Sequence, residues 1–88
     1  MKSSNMFTVY ALYNNKHKKI YIGQTDDLPA RLVMHQNKIF INSYTYRFDG
    51  NWRLIYKEEV ESRQLALIRE KQLKSYRGRE FVKSFIPE

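Results

Sequence analysis

The chain of 88 residues contains no cysteine. That one absence excludes disulfides, a thiolate nucleophile and cysteine-bound zinc, so any metal must be held by oxygen or imidazole. Glycine and proline are scarce, at three and two residues, and there is no internal repeat, low-complexity segment or linker. No apolar run is long enough for a signal peptide core or a membrane span, and the first five residues form a short polar tail, so the expected location is cytoplasmic, with no membrane partner. Acidic residues are also in deficit. Nine Asp and Glu face sixteen Lys and Arg, a formal charge of +7. A field of that sign attracts polyanions, of which nucleic acid is the commonest in the cytosol, although a generic solubilising surface has the same composition.

What is present suffices for one core and not for two. Hydrophobic residues make up 42% of the chain, and the length suits a single compact domain over residues 7–86 behind a disordered tail over residues 1–6. Residues 7–13 alternate as a strand, with Phe7, Val9 and Ala11 on one face and Thr8, Tyr10 and Leu12 on the other. Asn14-Asn15-Lys16-His17 reads as a turn, and residues 18–22 resume strand character until Gly23 ends it, which makes a hairpin. A loop of residues 14–17 pairs Tyr13 with Lys18 and sets Tyr10 directly opposite Tyr21. Asp27 caps a helix that runs to about Gln36, with Pro29 in its first turn and Arg31 and His35 on one flank.

Residues 37–51 lose their period and read as a partly ordered loop with an Asp49-Gly50 turn. Residues 52–60 alternate again, Trp52, Leu54 and Tyr56 against Arg53, Ile55 and Lys57. Ser62 then opens a helix to about Arg77. Leu65, Tyr76, Arg69, Leu73 and Ala66 share one arc of that helix, and Glu70 lies at the margin of the arc. Gly78 closes the helix, and residues 79–85 suit one more helical segment before Pro87.

The segments Thr8-Val9-Tyr10 and Tyr21-Ile22-Gly23, then Gln24-Thr25-Asp26-Asp27-Leu28, Arg31-Leu32 and His35, resemble the GIY-YIG nuclease family. The likeness continues through Trp52-Arg53-Leu54-Ile55-Tyr56 and residues 66–74, so it spans nearly the whole chain from Phe7 onward and lies nearest the small bacterial single-domain branch. No triplet is specific alone. The ordered set of Tyr, Tyr, Arg, His and Glu on hairpin, helix, strand and helix is. Two positions depart from the pattern: Thr8-Val9-Tyr10 stands for Gly-Ile-Tyr, and only Lys83 and Ser84 follow the second long helix where larger members carry a polar residue, often Asn.

The resemblance implies an α/β (α+β) domain, a three-stranded antiparallel sheet flanked by helices. It also implies an endonuclease that hydrolyses DNA with one divalent cation, Mg²⁺ or Mn²⁺, in repair or recombination, and no small-molecule cofactor. It assigns Glu70 as the metal carboxylate, Arg31 to the scissile phosphate, Tyr10 as general base, Tyr21 to positioning water or phosphate, and His35 to a share of the proton work. Each has a plainer alternative: Glu70 as an i+4 partner of Lys74, Tyr10 and Tyr21 as a cross-strand aromatic pair, Arg31 as a surface arginine, and His35 as a structural residue. Lys71, Lys74, Arg77 and Arg79 are candidate phosphate contacts or a solvated basic face. Gly23 either terminates the strand or allows a close backbone approach. Tyr44, Tyr46 and Arg47 are candidates to stack on or clamp a strand. The rival to an enzyme is a non-catalytic nucleic-acid-binding module, and a third option is a subunit that recruits a protein partner.

Overall fold

The computed structural model describes residues 6–36 and 48–87. Within them lie β1 (Phe7–Asn14), β2 (Lys19–Thr25), α1 (Leu28–Gln36), β3 (Trp52–Val60), α2 (Arg63–Lys74) and α3 (Tyr76–Lys83). The three strands form one antiparallel sheet in the order β2-β1-β3. This is the α+β arrangement expected. Residues 1–5 of the expected tail over residues 1–6 and the loop residues Tyr44, Tyr46 and Arg47 lie outside the described residues.

β1 is the middle strand and is covered on both faces, so every residue from Val9 to Asn14 is buried. On one face Val9, Ala11 and Ile22 pack with Ala66 and Leu73 of α2 and Val82 of α3. On the other, Tyr10, Leu12 and Trp52 pack with Leu28 and Leu32 of α1. A strand buried on both sides needs side chains that tolerate a dry environment in both directions. At its centre β1 meets this with Val9 and Ala11 toward α2 and α3 and with Tyr10 toward α1, and the Tyr10 hydroxyl then requires a partner.

The hairpin closes one residue later than the sequence implies. Asn14 stays in the strand opposite Lys19, and the connection is residues 15–18, with Lys18 in the left-handed region at φ 57°. The buried Asn14 side chain explains the difference. Its Nδ2 donates to the Asp49 carbonyl at 2.8 Å, and its Oδ1 accepts the His17 N–H at 3.0 Å. Asn14 thus ties the hairpin to the segment leading into β3, where Lys16 and His17 also pair with Asp49. The register shifts by two: Tyr10 faces Gly23, and Tyr21 faces Leu12. An even shift preserves the sheet face, so the two tyrosines become diagonal neighbours instead of an opposed pair. Gly23 does not end the strand either, since β2 continues to Thr25.

β3 also departs from simple alternation. Ala11 pairs with Tyr56 while Leu12 pairs with Leu54, an irregularity that leaves Ile55 between them. Such a bulge moves later side chains to the other face. Trp52 and Leu54 therefore lie toward α1, but Tyr56 lies toward α2 and α3, where it meets Phe81 and Phe85.

The long second helix expected to reach Arg77 breaks at Ser75, whose ψ of 168° is extended. Ser75 Oγ donates to the Gln72 carbonyl at 2.6 Å and accepts the Gly78 N–H at 3.2 Å, so one hydroxyl ends α2 and caps α3. The chain turns there, and Tyr76 is 79% exposed and off the buried arc. Gly78 lies inside α3, not at a helix end. A Cβ at this position would lie 2.1 Å from the Gln72 carbonyl oxygen and 2.4 Å from Leu73 Cα. Only glycine allows α3 to fold this closely against the end of α2. Gly78→Ala should therefore cost roughly 3 kcal/mol of stability in urea unfolding, by forcing backbone apart. A cost below about 1 kcal/mol would contradict this packing.

Candidate active site

Asp27 fixes the start of α1. Its Oδ1 accepts the Ala30 N–H at 3.2 Å, and its own N–H donates to Thr25 Oγ1 at 3.0 Å, linking the end of β2 to the helix. The helix that follows carries Arg31 and His35 on one flank, and the cap directs that flank over the Tyr10 face of the sheet. His35 is 2% exposed and Tyr10 is 1% exposed.

Tyr10 Oη and His35 Nε2 are 3.0 Å apart. Burial, assisted by the Arg31 charge, lowers the His35 pKa to about 4, so the imidazole is neutral at pH 7. A neutral ring carries its one proton on either nitrogen, and with that proton on Nδ1 the Tyr10 hydroxyl donates to Nε2. Tyr10 also shares a hydrogen bond with Tyr21. That bond favours the protonated form of Tyr10. The ring of Tyr21 lies 6.1 Å from that of Tyr10 and 4.9 Å from that of His35, both tilted.

Gly23 makes this clustering possible. A Cβ there would stand 2.9 Å from Tyr21 Cε2 and 3.0 Å from Tyr10 Oη. Facing Tyr10 across the ladder, the glycine leaves the space that the two rings fill. The space beside Gly23 is filled by the two tyrosine side chains, a role that neither sequence reading gave this glycine.

The Tyr10 pKa is pushed well above the usual phenol value, mainly by burial and then by Tyr21. Arg31 opposes that shift and Glu70 adds to it, so both charges act on the hydroxyl from α1 and α2. Glu70 is paired with Lys74, whose Nζ donates to Oε2 at 2.7 Å. The plainer alternative for Glu70 is therefore present, and its carboxylate still acts on Tyr10. Lys74 in turn lines a cleft of about 290 Å³ with Ile20, Tyr21, Ile22 and Arg79, so this flank of α2 runs along the outer strand β2.

Of the other four proposed site residues, Tyr21 and His35 pack against Tyr10, and Arg31 and Glu70 reach it through their charge. The four basic candidates are not gathered equally. Lys74 and Arg79 share the cleft beside Tyr21, whereas Arg77 lines a separate groove at the α2–α3 elbow with Arg69 and Phe81, and Lys71 is simply exposed. Sequence reasoning missed Asn14 and Thr25, which hold the hairpin and α1 in place. Their signal was weak, because polar residues near turns are usually exposed.

The buried neutral histidine has a stability consequence with a definite sign. Folding lowers its proton affinity, so between about pH 4 and 6.5 the unfolded chain binds more protons. The His35 contribution is complete above pH 6.5 and is lost as pH falls through about 4. Comparing urea unfolding at pH 7 and pH 4, wild type should lose on the order of 2–3 kcal/mol more than His35→Asn. Equal losses in the two proteins would contradict a buried neutral imidazole.

A family model for the GIY-YIG catalytic domain matches residues 6–82. No curated protein and no solved structure matches the chain. GIY-YIG domains are nuclease domains, and their members generally use divalent metal ions. Among the described residues no helix is long and apolar enough to cross a membrane. With the match covering all three strands, α1 and α2 and nearly all of α3, the chain belongs to the GIY-YIG family.

Proposed function

We propose that this domain is an endonuclease that hydrolyses phosphodiester bonds in DNA with one divalent cation. The observation that carries the reading is the buried Tyr10–His35 hydrogen bond, flanked by Tyr21 and acted on by the charges of Arg31 and Glu70. A tyrosine and a histidine packed only for stability have no need of an arginine of α1 and a carboxylate of α2 acting on the same hydroxyl.

The donor set fits a hard cation that keeps most of its water. Among the described residues there is no group of three acidic or imidazole side chains. Mg²⁺ and Mn²⁺ do not require one, since one or two carboxylates plus substrate oxygens and water complete an octahedron. Glu70 is the carboxylate that would hold the cation, which when bound would neutralise charge developing on the phosphate.

The chain's own residues supply the proton path. A free Tyr10 phenolate is disfavoured in this buried position, so Tyr10 acts best by passing its proton on as it receives one. As the attacking water forms its P–O bond and the opposite P–O bond breaks, the water proton moves to Tyr10 Oη, the Tyr10 proton moves to His35 Nε2, and the departing oxygen leaves with the bonding pair and takes a proton from solvent. Tyr21, hydrogen-bonded to Tyr10, keeps the hydroxyl oriented. Arg31 presents a planar guanidinium to non-bridging phosphate oxygens and favours the transition state as its charge grows. Proton transfer to His35 gives it a more direct role than a residue at a helix end suggests. Lys74 and Arg79 hold neighbouring phosphates, which makes binding salt-sensitive and independent of sequence.

One observation favours the rival reading of a non-catalytic DNA-binding module: Glu70 is already engaged by Lys74. Incubation with nicked, branched and single-stranded DNA in Mg²⁺ or Mn²⁺ separates the two. The nuclease reading predicts metal-dependent cutting that Glu70→Gln abolishes. Arg31→Ala should slow it about 10²–10³-fold, and Tyr10→Phe and His35→Asn about 10²–10⁴-fold. Dissociation constants for DNA should change little in the tyrosine and histidine variants. Salt-sensitive binding without cutting of any substrate by wild type would establish the binding module instead.

A further inference from the structure

We infer that Lys74 is an internal competitor for the cation at Glu70, and that DNA removes it by drawing its ammonium onto a phosphate in the adjoining cleft. Substrate and cation then load together. The inference rests on the reading of Glu70 as the cation ligand.

The pair has the geometry of a latch. Lys74 Nζ sits 2.7 Å from Glu70 Oε2, with the glutamate one turn toward the helix start, the favourable orientation for an i,i+4 pair. The Glu70 side chain is only 19% exposed, whereas that of Lys74 is 49% exposed, so the lysine lies on the solvent side of a carboxylate that a cation must reach. An ammonium and a divalent cation cannot occupy the same oxygen without strong repulsion. Lys74 therefore weakens cation binding while it remains there.

The same lysine has a second place to go. It lines the cleft beside Tyr21, and the other charged residue described there, Arg79, is also a cation. Arg79 is held by its Nε, which donates to the Lys74 carbonyl at 3.1 Å, so the guanidinium is fixed next to the lysine backbone. A phosphate attracted by Arg79 would arrive within the sweep of the lysine's flexible four-carbon stem. Ion pairs on partly exposed helix surfaces are weak, and a DNA backbone carrying several phosphates can outcompete one carboxylate for an ammonium. Once Lys74 turns to the phosphate, Glu70 is released where the cation is needed. Coupling of this kind is reciprocal, so the cation tightens DNA by the same factor that DNA tightens the cation.

The test is direct measurement of Mn²⁺ binding by electron paramagnetic resonance, on the full chain carrying Tyr10→Phe so that substrate stays intact. Mn²⁺ is titrated with and without a nicked DNA duplex. Lys74→Met should bind Mn²⁺ about fivefold more tightly than the parent when DNA is absent. DNA should tighten Mn²⁺ binding in the parent and do so by a smaller factor in Lys74→Met. Lys83→Met removes the same charge where it pairs with Glu80, and its Mn²⁺ affinity should stay within about twofold of the parent. Equal or weaker Mn²⁺ binding by Lys74→Met, or equal tightening by DNA in both proteins, overturns the inference. Adding Glu70→Gln locates a failure. If it loses Mn²⁺ while Lys74→Met gains nothing, only the lysine latch is wrong. If it binds Mn²⁺ as the parent does, the cation is not on Glu70, and the latch falls with that reading.

Discussion

A tyrosine hydroxyl on the central strand of a sheet covered on both faces has lost its water and must be given another partner. The cost of leaving it bare is of the same order as the stability margin of a small domain. His35 answers the need from α1, and much of the surrounding architecture serves to bring it there. Thr25 and Asp27 set the start of the helix. Gly23 clears the space across the ladder, and Asn14 holds the hairpin that sets the register of Gly23. Tyr21 fills the remaining gap from a diagonal position. On the proposed reading, the contact needed to bury Tyr10 is also the contact that gives its proton somewhere to go.

Electrostatics at this point are balanced between opposed demands. Burial keeps Tyr10 protonated and His35 unprotonated, so the resting pair is neutral. Arg31 eases deprotonation of Tyr10 and resists protonation of His35. On the proposed reading, a phosphate against Arg31 offsets its charge. The resistance to a protonated imidazole then falls when substrate is in place, which ties the proton transfer to an occupied site.

Much of the fold could be read from the sequence because it was local. The apolar alternation of β1 and β3, the Asp27 cap and the length of α1 all follow from neighbours within a few residues. What could not be read depended on distant partners. The hairpin register turned on an Asn14 side chain that reaches Asp49, the reversed facing of Tyr56 on a bulge against β1, and the break at Ser75 on α3 folding back over Gly78. Helical periodicity runs through Ser75 without interruption, which is why Tyr76 looked like a core residue. At the site, residue types in order pointed to Tyr10, Tyr21, Arg31, His35 and Glu70. Their order could not show that His35 is buried against Tyr10, which depends on side chains meeting in three dimensions, whereas the pairing of Glu70 with Lys74 follows from i,i+4 spacing alone.

The proton path stands or falls with the state of one imidazole, and ¹⁵N NMR of His35 in the free protein reads it directly. The predicted spectrum at pH 7 shows a neutral ring with Nδ1 protonated and Nε2 bare, titrating with a midpoint near 4. A midpoint at or above the ordinary histidine value near 6.5, or a proton resident on Nε2 at pH 7, would mean that Tyr10 cannot pass its proton to this ring.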